Sequence, residues 1–185
     1  MKLVKWHLAG YATPVNAALG LVNSDWWRGR PDRRLDKLAE DDWLTAYAEE
    51  AGLGALGPPT ASERRALAEL RGRLRALVES PSQDLSALDE YTSGAALRRR
   101  VVDGELVLEP VRRDWSWALS EIAASFVELV AHRDPARIKV CANHDCQWSF
   151  YDESKNRSRR WCGAASCGTA DKVRRFRARR RAALS

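Results

Sequence analysis

The stretch 141-CANHDCQWSFYDESKNRSRRWCGAASC-167 holds every cysteine of the 185-residue chain. The four fall as two C-x4-C pairs, Cys141 with Cys146 and Cys162 with Cys167, separated by fifteen residues. A tetrahedral Zn²⁺ site draws four donors from two chain segments, and a tight turn can present both sulfurs of a pair at about 2.3 Å from the ion. Knuckles spaced about 15 to 20 residues apart read as a zinc ribbon or finger. The competing readings fit less well. Paired disulfides suit secreted mini-proteins, iron–sulfur clusters use denser cysteine runs, and unrelated thiols would not form two matched pairs in so short a span. His144, inside the first pair, is an alternative ligand, but four thiolates already complete a site. A closed four-thiolate site leaves no position for water, so the metal is expected to be structural, supplying the folding free energy that a small core lacks.

Working outward from the cysteines, 147-QWSFYDESKNRSRRW-161 reads as two strands joined by a turn at 153–156. Trp148, Phe150 and Trp161 would then form a mini-core. After the last cysteine, Thr169 is expected to N-cap a helix over 170–183, with Val173 and Phe176 docked on the knuckle. The rest of that helix is cationic, since seven of the ten residues from Lys172 to Arg181 are basic. The expected finger is therefore a small zinc-stapled ββα-like unit over 137–185. Residues 1–136 carry 18 Lys+Arg against 21 Asp+Glu, whereas 137–185 carry 13 against 4, so the net +6 belongs to the C-terminal part. Such asymmetry marks a polyanion-binding appendage on a near-neutral body. The candidate nucleic-acid contacts are Lys155, Arg157, Arg159 and Arg160 between the pairs, and Lys172, Arg174, Arg175, Arg177, Arg179, Arg180 and Arg181 on the helix. Arginine at this density suits phosphate through bidentate pairing. Duplex DNA is the expected partner, and a zinc-stapled RNA- or ribosome-binding module is the alternative.

The region 1–136 reads as one mainly α domain with a small β element, an α+β arrangement. Leu67, Leu70, Leu74, Leu77 and Val78 form an apolar stripe in 60–80, opened by a Thr60/Glu63 capping box and stopped by Pro81. In 32–53, Leu35, Leu38, Trp43, Leu44, Tyr47 and Ala51 recur at helical spacing, with Asp41 or Asp42 as a cap and Gly52 as the end. A third helix over 113–132 buries Ala118, Ile122, Phe126, Leu129 and Val130. Between the helices, Asp103-Gly104 joins two β-prone runs in 98–110, a strong hairpin signal. A strand at 4–8 and a helix over 14–23 are expected before position 30. Six of the eight tryptophans lie in this region, at 6, 26, 27, 43, 115 and 117, and are read as packing residues.

The segment 137–180 resembles the CGNR-type zinc finger of bacterial proteins. The likeness rests on CANxxC, Trp148, Phe150, Asp152, Ser154, Asn156, the RRWC run at 159–162, Cys167-Gly168 and the basic tail from Lys172. The stretch 22-VNSDWWRGRPDR-33 and the DGELVLEP hairpin resemble the ABATE-like domain of stress-induced transcription regulators that usually precedes such a finger. The resemblance implies a transcription regulator that binds DNA through a zinc-dependent C-terminus. One departure is clear: the family signature continues Gly-Asn-Arg after the last cysteine, and here Gly168 is followed by Thr169 and Ala170. The N-terminal domain is then expected to sense a small-molecule effector or to form a homodimer.

An enzyme is not expected: the chain has only His7, His132 and His144, no Gly-rich phosphate loop and no nucleophile–base ordering. No apolar run reaches the roughly 18 residues of a membrane span, and no signal peptide is read at the start. The expected location is the cytoplasm, at the nucleoid when bound to DNA.

Overall fold

The computed structural model describes residues 17–80 and 84–183. Helix α1 (Ala17–Val22) is buried along its whole length. It packs between α3 (Ala61–Glu79) and α5 (Trp115–His132), the two long helices of the body. Leu67, Leu70, Leu74 and Val78 from α3 meet Ala118, Ile122, Ala123 and Phe126 from α5 in one apolar core. The apolar stripes predict this packing, because positions three and four apart share one face of a helix. Helix α3 opens on the expected capping box, with Thr60 and Glu63 each bonding the other's backbone. Helix α5 is N-capped by Asp114, whose side chain accepts from the Trp117 N–H at 3.1 Å. The expected strand at 4–8, the first part of the helix expected from 14, Trp6, His7 and Pro81 lie outside the described residues.

The expected single helical stretch over 32–53 is divided. Leu35–Asp36 forms strand β2, paired antiparallel with β1 (Asp25–Trp26), and a 3-10 turn follows at Lys37–Ala39 before α2 (Asp41–Glu50). Asp41 and Asp42 sit in the first turn of α2, where they favour its positive end, but the N-cap position is Glu40 and makes no side-chain cap bond. Leu35 is 47 % exposed. The break comes from Asp36, whose carboxylate is clamped by Arg71 of α3 at 2.6 and 2.7 Å and whose Oδ1 also caps Leu38. Gly52, at φ +74, ends α2 as expected.

Helix α4 (Asp89–Thr92) leads into the predicted hairpin, β3 (Leu97–Val102) with β4 (Glu105–Pro110). Asp103 and Gly104 turn it with φ of 50° and 80°, the left-handed pair that this two-residue turn requires. Strands β5 (Ile138–Val140) and β6 (Ser149–Tyr151) and helix α6 (Thr169–Ala182) complete the chain. Ile138 is buried in the body's core, with Val140 and Tyr151 packed against it. A second, smaller cluster holds Cys141, Phe150 and Cys167, flanked by Cys146, Trp148, Trp161 and Cys162. The described residues are thus mainly helical, with three antiparallel strand pairs among them.

Of the tryptophans read as packing residues, Trp115 and Trp117 are buried, and Trp43 stacks on Tyr47 with ring centroids 5.1 Å apart. Trp27 departs from that reading and is 39 % exposed.

Candidate metal centre and basic surface

Strand β6 finds its partner upstream of the first cysteine, not in 157–161 as local β-propensity predicts. Ile138 pairs with Tyr151, Lys139 with Phe150 and Val140 with Ser149. The ladder runs on to the cysteines through the Cys141 N–H, which donates to the Trp148 carbonyl at 2.8 Å. The hairpin loop is therefore the first knuckle itself. Asn143 closes it, its carbonyl accepting from the N–H groups of Cys146 and Gln147, and Gln147 turns back at φ 53°. The returning segment joins by one backbone bond, from the Ala142 N–H to the Arg160 carbonyl at 2.8 Å, and it brings Cys162 to the metal side. Local β-propensity suggested a 147–161 hairpin, but Arg157 at φ 52° and the Asp152 loop hold 152–160 irregular.

Asp152 organises that loop. It is fully buried and accepts from Lys139 Nζ at 2.6 Å, the Ser154 N–H at 2.9 Å and the Arg159 N–H at 3.0 Å. Burial alone would raise its carboxyl, but the Lys139 ammonium and the N–H donors outweigh it and hold the group well below the usual carboxylate range. Lys139 Nζ also donates to the carbonyls of Arg157 and Arg159.

The second knuckle is a π-helical turn over Ala164–Gly168 that runs directly into α6. Thr169 is consequently not the N-cap: it is already helical, the preceding residue is Gly168, and the Thr169 hydroxyl reaches back to the Ala164 carbonyl at 3.4 Å. The departure from the Gly-Asn-Arg signature thus falls at the exposed start of α6.

These two turns bring the four cysteine sulfurs within 4.8 Å of one another. Cys162 Sγ lies 3.7 Å from both Cys146 Sγ and Cys167 Sγ. A tetrahedron with Zn–S bonds of about 2.3 Å has edges of about 3.8 Å, close to the two Cys162 distances, so the cluster is of the size that holds the ion. The Cys162 N–H points at Cys141 Sγ at 3.5 Å, a donor that stabilises thiolate. Without a cation Cys141, Cys146 and Cys162 oppose one another's ionisation. The hydrogen bond from Cys162 pulls Cys146 down to about 6, the same bond holds Cys162 well above its ordinary value, and burial pushes Cys141 up. A divalent ion removes that conflict by ionising every ligand. His144 is 79 % exposed and stands outside the cluster.

The knuckle is seated on the stretch 22–33 of the body. The Asn23 side chain behaves like one more strand residue: its Nδ2 donates to the Ser149 carbonyl at 2.8 Å, and its Oδ1 accepts from the Ser149 N–H at 2.7 Å. Both residues are buried. Trp26 meets Trp148 edge-on with centroids 6.0 Å apart. Gly29 lies so close to the first knuckle that a Cβ there would stand 1.8 Å from the His144 carbonyl oxygen. Behind this seat, the buried Asp25 is held by Arg34 at 2.8 and 2.9 Å and by Arg75 at 3.1 Å. Burial raises the Asp25 carboxyl, yet these guanidinium groups keep it ionised and below its ordinary value. Sequence reading missed this role for 22–33. The stretch carries part of the family resemblance, but its run of Asn, Trp and Gly has no chemistry of its own that points to a seat.

The basic residues divide by partner. Arg159 is spent inside the finger, donating to the carbonyls of Trp161 and Cys162 and lying over the Phe150 ring at 4.7 Å. Arg174 ties α6 to the first knuckle, with Nη1 on Asn143 Oδ1 at 3.3 Å and Nη2 on Asp171 at 2.6 Å. Arg157 pairs with Asp134 at 2.9 Å, and Arg175 with Asp171 at 3.5 Å. Arg160 lies over Trp161 and Arg180 over Phe176. Lys155, Lys172, Arg177 and Arg179 are exposed, and their side chains make no bond to the described residues. Arg181 lies at the exposed end of α6. Val173 and Phe176, expected against the knuckle, are 42 % and 54 % exposed instead. The polar Arg174–Asn143–Asp171 contact does the docking, and it turns the apolar pair outward.

A four-sulfur cluster between two knuckles, under a short hairpin and before a basic helix, defines a structural zinc-finger module. Residues 137–180 match the CGNR zinc finger model, and the module's cofactor is structural zinc. Residues 16–133, the greater part of the chain, match the model described as ABATE, "Putative stress-induced transcription regulator", and the chain belongs to that family. No curated protein matches it. No helix among the described residues is long and apolar enough to cross a membrane.

Proposed function

We propose that the chain is a non-enzymatic transcription regulator. In this reading Cys141, Cys146, Cys162 and Cys167 ligate one zinc ion, and the finger so formed over 137–185 grips the phosphodiester backbone of duplex DNA. The observation that carries it is the continuity of the second knuckle with α6, which fixes the direction of the cationic helix once the metal is bound. Lys155, Lys172, Arg177 and Arg179 are the first contacts, because no partner among the described residues competes for them. Arg157, Arg175, Arg180, Arg181 and Arg160 are added as their local contacts exchange for phosphate. Arg159 and Arg174 act mainly by holding the finger's shape. The body over 1–136 is the regulatory part, and the protein acts in the cytoplasm on the nucleoid.

The test is fluorescence anisotropy of the zinc-loaded protein on duplex DNA and on duplex RNA of the same sequence, across a salt series. The four first contacts alone give a slope of log affinity against log salt of about −3.6, and all nine give about −8. Preference for DNA, with binding lost on chelation, supports the reading. Preference for RNA replaces it with an RNA-binding function, and affinity unchanged by chelation refutes the zinc-aimed helix.

A further inference from the structure

Helix α6 turns its two large apolar side chains to the outside. Asp171, the buried residue of the helix, and Arg174, bonded to Asn143 at 3.3 Å, mark the face that docks on the first knuckle. At about 100° per residue, Phe176 lies about 140° and Val173 about 200° around from Asp171, so the pair occupies the opposite face. Val173 is 42 % and Phe176 54 % exposed. Arg180 falls between them, at about 180°, with its guanidinium 6.0 Å from the Phe176 ring centroid. Lys172 and Arg179, at about 100° and 80°, flank the pair on one side, and Arg177, at about 240°, flanks it on the other. All three are exposed. The outward face of α6 is therefore a small apolar spot inside a cationic frame.

The frame decides what can cover the spot. The only acid on α6 is Asp171, and it is turned inward. A second copy of the helix would set arginine against arginine, and a basic partner is repelled in the same way. A membrane surface or a helix-binding protein groove takes an apolar stripe of several turns, and two side chains three positions apart do not make one. What fits is a polyanion with an apolar feature at its centre. The major groove of duplex DNA has that form: phosphates line both rims, and the thymine 5-methyl group is exposed on its floor. The groove is about 12 Å wide and accepts a helix of about 10 to 12 Å diameter. Three residues of helix rise about 4.5 Å, so Val173 and Phe176 span one or two base-pair steps of about 3.4 Å.

We propose that Phe176 and Val173 face the floor of the major groove and recognise thymine by its 5-methyl group, while Lys172, Arg179 and Arg177 hold phosphates on the two rims. The inference rests on the DNA reading above and adds to it a sequence preference, for A·T pairs at a subsite of one or two base pairs.

The test is fluorescence anisotropy of the full zinc-loaded chain on an alternating A·T duplex and on the same duplex with every thymidine replaced by deoxyuridine, at matched salt. Each methyl group buried contributes about fourfold, so the thymine duplex binds about four- to fifteenfold tighter. Phe176→Ala reduces that ratio by about fourfold, with the salt slope, zinc content and thermal melt of the wild type, because the side chain is exposed and uncharged. Phe176→Leu, which stays apolar, keeps the preference. Salt-dependent binding that is equal on the two duplexes, or a ratio that Phe176→Ala leaves unchanged, overturns the inference and leaves the DNA reading standing. Absence of binding to either duplex overturns both. Binding to phosphatidylserine vesicles that is tighter than to DNA and is lost in Phe176→Ala assigns the apolar pair to a membrane surface and overturns the inference as well.

Discussion

Replacing Gly29 with alanine tests the joint between body and finger at one methyl group. Gly29 has no left-handed φ, so alanine costs no backbone strain there, and the effect is steric. The new Cβ would lie 1.8 Å from the His144 oxygen and 2.7 Å from its carbonyl carbon, both backbone atoms. Ordinary contact requires the two segments to part by more than about 1 Å. The Asn23–Ser149 pair, at 2.7 and 2.8 Å, cannot stretch that far and remain bonded. Two buried hydrogen bonds at about 1 kcal/mol each and an aromatic edge contact at about 1 kcal/mol give a loss of about 3 kcal/mol. For a chain of this size that lowers Tm by about 6 to 12 °C. Because the finger then loses its seat, zinc held against a competing chelator should also weaken, by at least about tenfold. The assay is paired thermal melts and zinc competition on wild type and Gly29→Ala. Gly57→Ala serves as the control, since a Cβ there meets nothing within 4 Å. A Gly29→Ala protein that melts with wild type and holds zinc equally well would refute the seating of the knuckle on 22–33.

Gly72→Ala should stabilise the protein by about 0.5 to 1 kcal/mol in urea unfolding, because the position lies inside α3 with open space around it. Cys162→Ser should abolish stoichiometric zinc in elemental analysis and, with it, the protection of amides in 138–168 against exchange. Zinc affinity should fall steadily as pH drops from about 7 to 5, since protons compete for four thiolates, and metal titrations at each pH would show it. Asp152 cannot cause that fall. Its folded pKa is depressed, so its contribution is complete above the unfolded value of about 3.9 and is lost only as pH drops through the lower folded value. If Asp152→Asn abolished the zinc dependence between pH 7 and 5, this assignment would be wrong. Arg177→Ala and Arg179→Ala should each reduce the salt slope on duplex DNA by about 0.9 with the melt unchanged, whereas Arg174→Ala should lower the melt as well.

Features whose physics is local were legible in the order of the residues. Cysteine spacing limits which sulfurs one turn can present, and that reading led to the four-sulfur cluster observed between the knuckles. The Thr60–Glu63 box, the apolar stripes of α3 and α5 and the Asp103-Gly104 turn also depend on residues at most a few turns apart. Choices between distant partners were settled by how the chain packs. Strand β6 takes 138–140 rather than 157–161, because Asp152 and Lys139 commit the later segment to an irregular loop. Asp36 ends a run that reads as helix, because Arg71 waits for it on α3. Arginines alike in sequence divide into those with acidic neighbours and those with none among the described residues. Asn23, Trp26 and Gly29 acquire a purpose only when the finger arrives against them, since a hydrogen bond or a missing methyl group has meaning only with the surface opposite it in place.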